Sequence, residues 1–151
     1  MNYKYYFSVP SYSTNEAIDI PCVDNLNFWA QIMEYFLDQS ESIEIHCWDE
    51  ESAVIEELKN VCGDAMEIKQ DGLLTVFNIK KSPSFKQFLL QNYIDEHGRV
   101  KWFSIFLSSQ ETTVFHSEHW GTEFFAPCVN EKEIEFIQSV MPIDTNFHQY
   151  T

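Results

Sequence analysis

At 151 residues the chain is sized for one domain. Its 44% hydrophobic content, with 13 Phe, 7 Tyr and 4 Trp, supplies a core, and only 4 Gly and 5 Pro exclude a low-complexity or disordered chain. The 24 Asp and Glu against 9 Lys and Arg leave a net charge of −15, a field that disfavours nucleic acid and anionic membranes as partners and attracts a basic protein.

The opening MNYKYYFSVP lacks the charged start and apolar run of a secretory signal, and no stretch approaches the roughly 18 apolar residues of a membrane span. A soluble, cytoplasmic protein is expected, with Cys22, Cys47, Cys62 and Cys128 as free thiols. Residues 3–9 (YKYYFSV) are aromatic and β-branched and predict a strand; in 11–22 a loop leads to AIDIP, a short edge strand ended by Pro21. Asp24 opens a helix to about Asp38, with Leu26, Trp29, Ile32, Met33, Phe36 and Leu37 on one face. SIEIHCW, from Ser42 to Trp48, alternates as a half-buried strand should. Asp49 suits an N-cap, with Glu50 and Glu51 in the first turn of a helix to about Val61 that turns Val54, Leu58, Val61 and Cys62 inward.

AMEIK and LLTVFNIK flank Gln70-Asp71-Gly72, a hairpin signal. Ser82-Pro83 starts a helix through about Ile94, burying Phe85, Phe88 and Leu89. From Arg99 the pattern is a meander: VKWFSIFL, TTVFH, TEFFA. Asn130 and Glu133 form a capping box for a last helix, apolar at Ile134, Ile137, Val140 and Met141 and stopped by Pro142, after which the tail is expected to be loosely held. Hairpins outnumber parallel crossovers. The expected fold is α+β, a single domain over 1–151, with a mostly antiparallel sheet and about four helices packed against it.

The densest cluster of reactive residue types is VFHSEHWGTEFF, from Val114 to Phe125. A loop of His119-Trp120-Gly121 would pair Glu118 with Thr122 and Phe115 with Phe125, keeping Glu118 away from Glu123. His116 and His119 then lack the same-face spacing of strand ligands, so the stretch reads as a hairpin and not a metal site. No nucleotide-binding, metalloprotease, hydrolase or EF-hand motif occurs, and Gly63, Gly72, Gly98 and Gly121 are too dispersed for a phosphate loop. No catalytic residue, metal or cofactor is assigned.

Charge is more informative. Residues 34–67 hold eleven acids against Lys59 alone, whereas 69–101 hold six bases and three acids. Acids bordered by aromatics suggest a protein-binding surface, with Trp48, Asp49, Glu50, Glu51, Glu57, Glu118, Trp120 and Glu123 as candidate contacts. A small, acidic, aromatic-rich α+β protein without catalytic motifs resembles the bacterial immunity proteins of contact-dependent or polymorphic toxin systems. That resemblance implies a cytoplasmic protein that neutralises a toxin domain, often a basic nuclease, through its acidic surface. Two other classes are open: an acidic phage-type inhibitor of a nucleic-acid-processing enzyme, and a small-ligand binder or enzyme with an aromatic pocket.

Overall fold

The computed structural model describes every residue except 14–18, 22 and 24, and the side chains of 12, 13, 19 and 20 are likewise left aside. Alternating stretches form strands and helical-period stretches form helices. In chain order the elements are β1 (Tyr3–Ser8), β2 (Ser11–Ser13), β3 (Asp19–Pro21), α1 (Asn27–Leu37), β4 (Ser42–Trp48), α2 (Ser52–Cys62) and β5 (Met66–Asp71). There follow β6 (Leu74–Lys80), α3 (Pro83–Gln91), β7 (Ser104–Ser109), β8 (Thr112–Glu118), β9 (Glu123–Val129), α4 (Glu131–Val140) and β10 (Asn146–Tyr150). Eight strands make one antiparallel sheet in the order β10-β1-β9-β8-β7-β4-β6-β5, and β2 pairs with β3 separately. This is the expected single-domain α+β architecture.

One face of the sheet carries the core. Ile43, Ile45 and Cys47 of β4, Ile105 and Leu107 of β7 and Phe115 of β8 are buried there with Trp29, Ile32 and Phe36 of α1. The other three helices add Ile55, Leu58, Phe85, Leu89, Ile134 and Ile137 to the same cluster. Phe36 stacks on Phe115 at 4.2 Å, and the Trp29 indole donates to Ser117 Oγ at 2.9 Å. The opposite face is half-buried. There one straight row of cross-strand neighbours crosses seven strands: Asn78, Glu44, Phe106, His116, Phe125, Tyr6 and His148. Such one-sided burial explains the alternation in the strands.

Helix N-termini follow the expected chemistry in two of the four helices. Ser82 Oγ caps α3 through the Phe85 amide, and Asn130 with Glu133 forms a reciprocal capping box on α4. The Asp24 start expected for α1 lies outside the described residues. Helix α2 begins at Ser52, later than its acids suggest. Asp49 is occupied by Gln70 Nε2 at 2.6 Å and Thr75 Oγ1 at 2.7 Å, so it cannot cap. The chain turns at 49–50, and Glu51 reaches back to accept the Trp48 amide at 2.8 Å. The buried face of α2 runs through Ile55 and Leu58, with Val54 and Cys62 packed beside them as expected, and Val61 is left exposed.

Four further expectations are corrected. Helix α3 ends at Gln91, where Asn92 turns its side chain back to the Phe88 carbonyl, and VKWFSIFL becomes a strand only from Ser104. The tail after Pro142 is no loose end, because β10 hydrogen-bonds along β1 from Asn146 to Tyr150. The β8–β9 register pairs Glu118 with Glu123, Ser117 with Phe124 and His116 with Phe125. The core decides this: Phe124 must face inward to stack on Phe7 at 5.0 Å, and a one-residue slip would put Phe125 there instead. The like-charge pair is offset by histidines, since His116 Nδ1 lies 3.8 Å from Glu118 and His119 bonds Glu123.

Candidate functional site

The tip that follows Glu118 is built by hydrogen bonds to backbone carbonyls. The Trp120 amide donates to the Phe103 carbonyl at 3.0 Å, and Thr122 Oγ1 donates to the His119 carbonyl at 2.9 Å. His119, Trp120 and Gly121 all have positive φ (50, 54 and 75). That conformation turns Trp120 away from its flanking carboxylates, across Phe103, toward the start of α2. Its ring lies 4.7 Å from Phe103, which lies 5.0 Å from Trp48. Two tryptophans some 70 residues apart in sequence thus share one aromatic wall.

That wall borders an open cleft of about 1220 Å³. It is bounded by the end of β4, the first turns of α2, the β5–β6 turn and the segment 94–101. Six of the eight contact residues expected from sequence meet here: Trp48, Asp49, Glu50, Glu51, Glu57 and Trp120. Glu118 and Glu123 do not. They sit across the hairpin on the open sheet face beside His116 and His119, outside the cleft.

The segment 94–101 was missed. Asp95 organises it: Oδ1 accepts the His97 amide at 2.8 Å and the Arg99 amide at 3.1 Å, and Oδ2 accepts Arg99 Nε at 2.6 Å. The Arg99 guanidinium carbon lies 4.6 Å from the centre of the Trp120 ring, a cation–π contact. Lys101 is also buried and donates to Glu57 at 2.8 Å. Arg99 is the chain's single arginine, placed between apolar Val100 and the DEHG turn. A lone arginine among eight lysines is the signal that could have flagged it, because guanidinium is preferred where a cation is buried and stacked.

The electrostatics are unbalanced toward anions. Six acids line the cleft, Asp49, Glu50, Glu51, Glu57, Asp95 and Glu96, and both buried cations are already paired with Asp95 and Glu57. Glu51 is half-buried, and desolvation pushes its carboxyl above the usual range. Bonds from Trp120 Nε1 at 3.1 Å and the Trp48 amide, and the nearby Arg99 charge, oppose that rise. Asp49 is held below the usual range by its bonds from Gln70 and Thr75. Glu50 and Glu96 project into solvent.

The remaining candidates lie elsewhere. Trp102 is in the core. Cys47 is buried with its thiol pushed up to about 12, unsuited to act as a nucleophile, while Cys62 is half-buried and Cys128 exposed. Among the described residues no three His, Cys, Asp or Glu are gathered as metal ligands, and no described helix is long and apolar enough to cross a membrane. No protein-family model, curated protein or solved structure matches the chain.

Proposed function

We propose that the chain is a binding protein that engages a basic protein partner through this cleft, as an immunity protein engages a toxin domain. The observation that carries the reading is convergence. Trp48, Glu50 and Glu51 from the β4–α2 junction, Asp95 and Glu96 from the segment 94–101, and Trp120 from the β8–β9 tip meet at one open cleft in which acids exceed fixed cations by six to two. Aromatic side chains give such a contact its buried area, and acids around them attract a cationic partner and slow its escape. A nuclease domain, whose Lys and Arg hold phosphates, fits this chemistry. So does any other protein presenting a basic ridge of similar width.

The acids fall into two groups for testing. Glu51 and Glu57 are tied to Trp120 and Lys101, so reversing them would disturb the fold. Glu50 and Glu96 are exposed and separable. A pair of unit charges about 6 Å apart in water contributes about 0.7 kcal/mol. Reversing one partner's charge therefore weakens the complex by about 1.4 kcal/mol, roughly tenfold per residue. The protein immobilised on beads and exposed to lysate of its native host should retain a partner of high isoelectric point, released by salt. Glu50→Lys with Glu96→Lys should lose it, while Glu135→Lys on α4 should not. Equal retention by all three, or capture of an acidic partner only, refutes the reading.

A further inference from the structure

Three buried polar side-chain atoms have no hydrogen-bond partner among the described residues: Arg99 Nη1, Trp102 Nε1 and Thr145 Oγ1. Of these residues, Arg99 alone lines the cleft. It is 7% exposed, its Nε is committed to Asp95, and its guanidinium carbon lies over the Trp120 ring. Lys101, the other buried cation of the cleft, has its acceptor in Glu57. A guanidinium N–H withdrawn from water without an acceptor is costly to the folded state, which makes it a place where another molecule can supply one.

The acceptor's character follows from its surroundings. A free anion would face a cleft in which six acids outnumber two cations, both of them paired. A neutral carbonyl oxygen escapes that repulsion and can still accept from a guanidinium. The cleft, at about 1220 Å³, is larger than one side chain needs, and exposed Leu73 and Ile94 add apolar surface to its aromatic wall. We propose that Arg99 Nη1 receives a main-chain carbonyl of an extended polypeptide segment laid in the cleft along Trp48 and Trp120, with the segment's basic side chains directed at Glu50 and Glu96. This rests on the reading of the cleft as the partner's seat and adds the donor that fixes the segment's register. Because the Arg99 guanidinium lies over the Trp120 ring and Nη1 is buried, seating the segment must move that ring, and tryptophan emission reports it.

The test turns on a sign. Removing a positive charge from a site for a cationic peptide should tighten binding if charge alone matters; here it should weaken it. The probe is the blocked pentapeptide acetyl-Ala-Arg-Ala-Arg-Ala-amide, titrated against the full chain by tryptophan fluorescence and calorimetry. Wild type should saturate, and Arg99→Gln should lose at least tenfold in affinity. Arg99→Lys, which keeps the charge and can still pair with Asp95, should lose a similar factor with the fold intact by circular dichroism. Affinity unchanged or raised in folded Arg99→Lys overturns the proposal. So does absent binding to wild type, or equal binding of the matching Ala-Glu-Ala-Glu-Ala peptide. Glu50→Gln with Glu96→Gln separates the two claims: no loss of affinity there refutes the acidic cleft itself, whereas loss there with none in Arg99→Lys refutes only the role of Arg99.

Discussion

Gly121 is the one of the four glycines at which an added Cβ would collide with the core, and Gly121→Ala measures it. A Cβ built there lies 2.8 Å from Val100 Cγ2 and 2.9 Å from Trp29 Cδ1, both in fully buried side chains, with φ at +75°. The left-handed conformation costs an alanine about 1 kcal/mol. Forcing a methyl into closed packing adds about 2 kcal/mol, since Trp29 is held by Ser117 and cannot swing freely. The expected loss of about 3 kcal/mol lowers the melting temperature of a domain of this size by roughly 6–12 °C. Gly72→Ala is the control: φ is +61° but nothing lies within 4 Å, so only the backbone term applies, about 1 kcal/mol or roughly 2–4 °C. Calorimetric melting of both variants decides the matter. If Gly121→Ala melts no lower than Gly72→Ala, the claimed closure of the tip against Val100 and Trp29 is wrong.

Asp95→Asn leaves the buried Arg99 without its counter-ion and should lower urea stability by about 3 kcal/mol; a change under about 0.5 kcal/mol would show the pair to be dispensable. Glu118 is held below its ordinary value of 4.5, first by the neighbouring His116, whose Nδ1 lies 3.8 Å away, so its stabilisation is present above that pH and lost as pH falls through the lowered value. Glu118→Gln should therefore flatten the acid limb of the stability profile, and an unchanged slope below pH 4.5 contradicts the assignment. In a Cys22→Ser background, Ellman's reagent at pH 8 should modify Cys128 first and Cys47 only on unfolding; a fast Cys47 would deny its burial. Asn130→Ala removes half of the capping box and should cost about 1 kcal/mol by chemical denaturation, with helix content otherwise retained.

Local patterns in the chain were legible wherever one residue type had one use. SIEIHCW, Ser82-Pro83 and Asn130-Glu133 each satisfy a nearby backbone or a single face, and each appears where the pattern puts it. Asp49 shows how this fails. Its N-cap propensity is genuine, but Gln70 and Thr75, brought in by the β5–β6 hairpin, hold its oxygens. The β8–β9 register likewise depended on Phe7 and Phe36, distant partners that outweigh a carboxylate pair at the surface. The acidic block 34–67 was visible at once. Its relation to the basic block after it was not, because tertiary structure folds the second onto the first through Lys86–Asp38 and Lys101–Glu57. The cleft is what remains acidic after that neutralisation, which is why Glu50 and Glu51 stand out in the sequence, whereas Arg99 shows there only as the single arginine.

The placement of β1 sets an order for assembly. Its two neighbours are β9 and β10, so the Tyr3–Ser8 strand has no sheet partner until residues 123–150 are available. Closing a loop of that length before any pairing rewards it is slow, whereas β4 to β8 can dock through hairpins and shorter crossings. Folding should therefore begin in the β4–β8 half and finish when β9 and β10 clasp the first strand. Until then YKYYFS is an unpaired aromatic edge open to another chain. The growing chain's most hazardous interval is the one before residues 123–150 emerge, and deletion of β10 should show itself first as aggregation during synthesis.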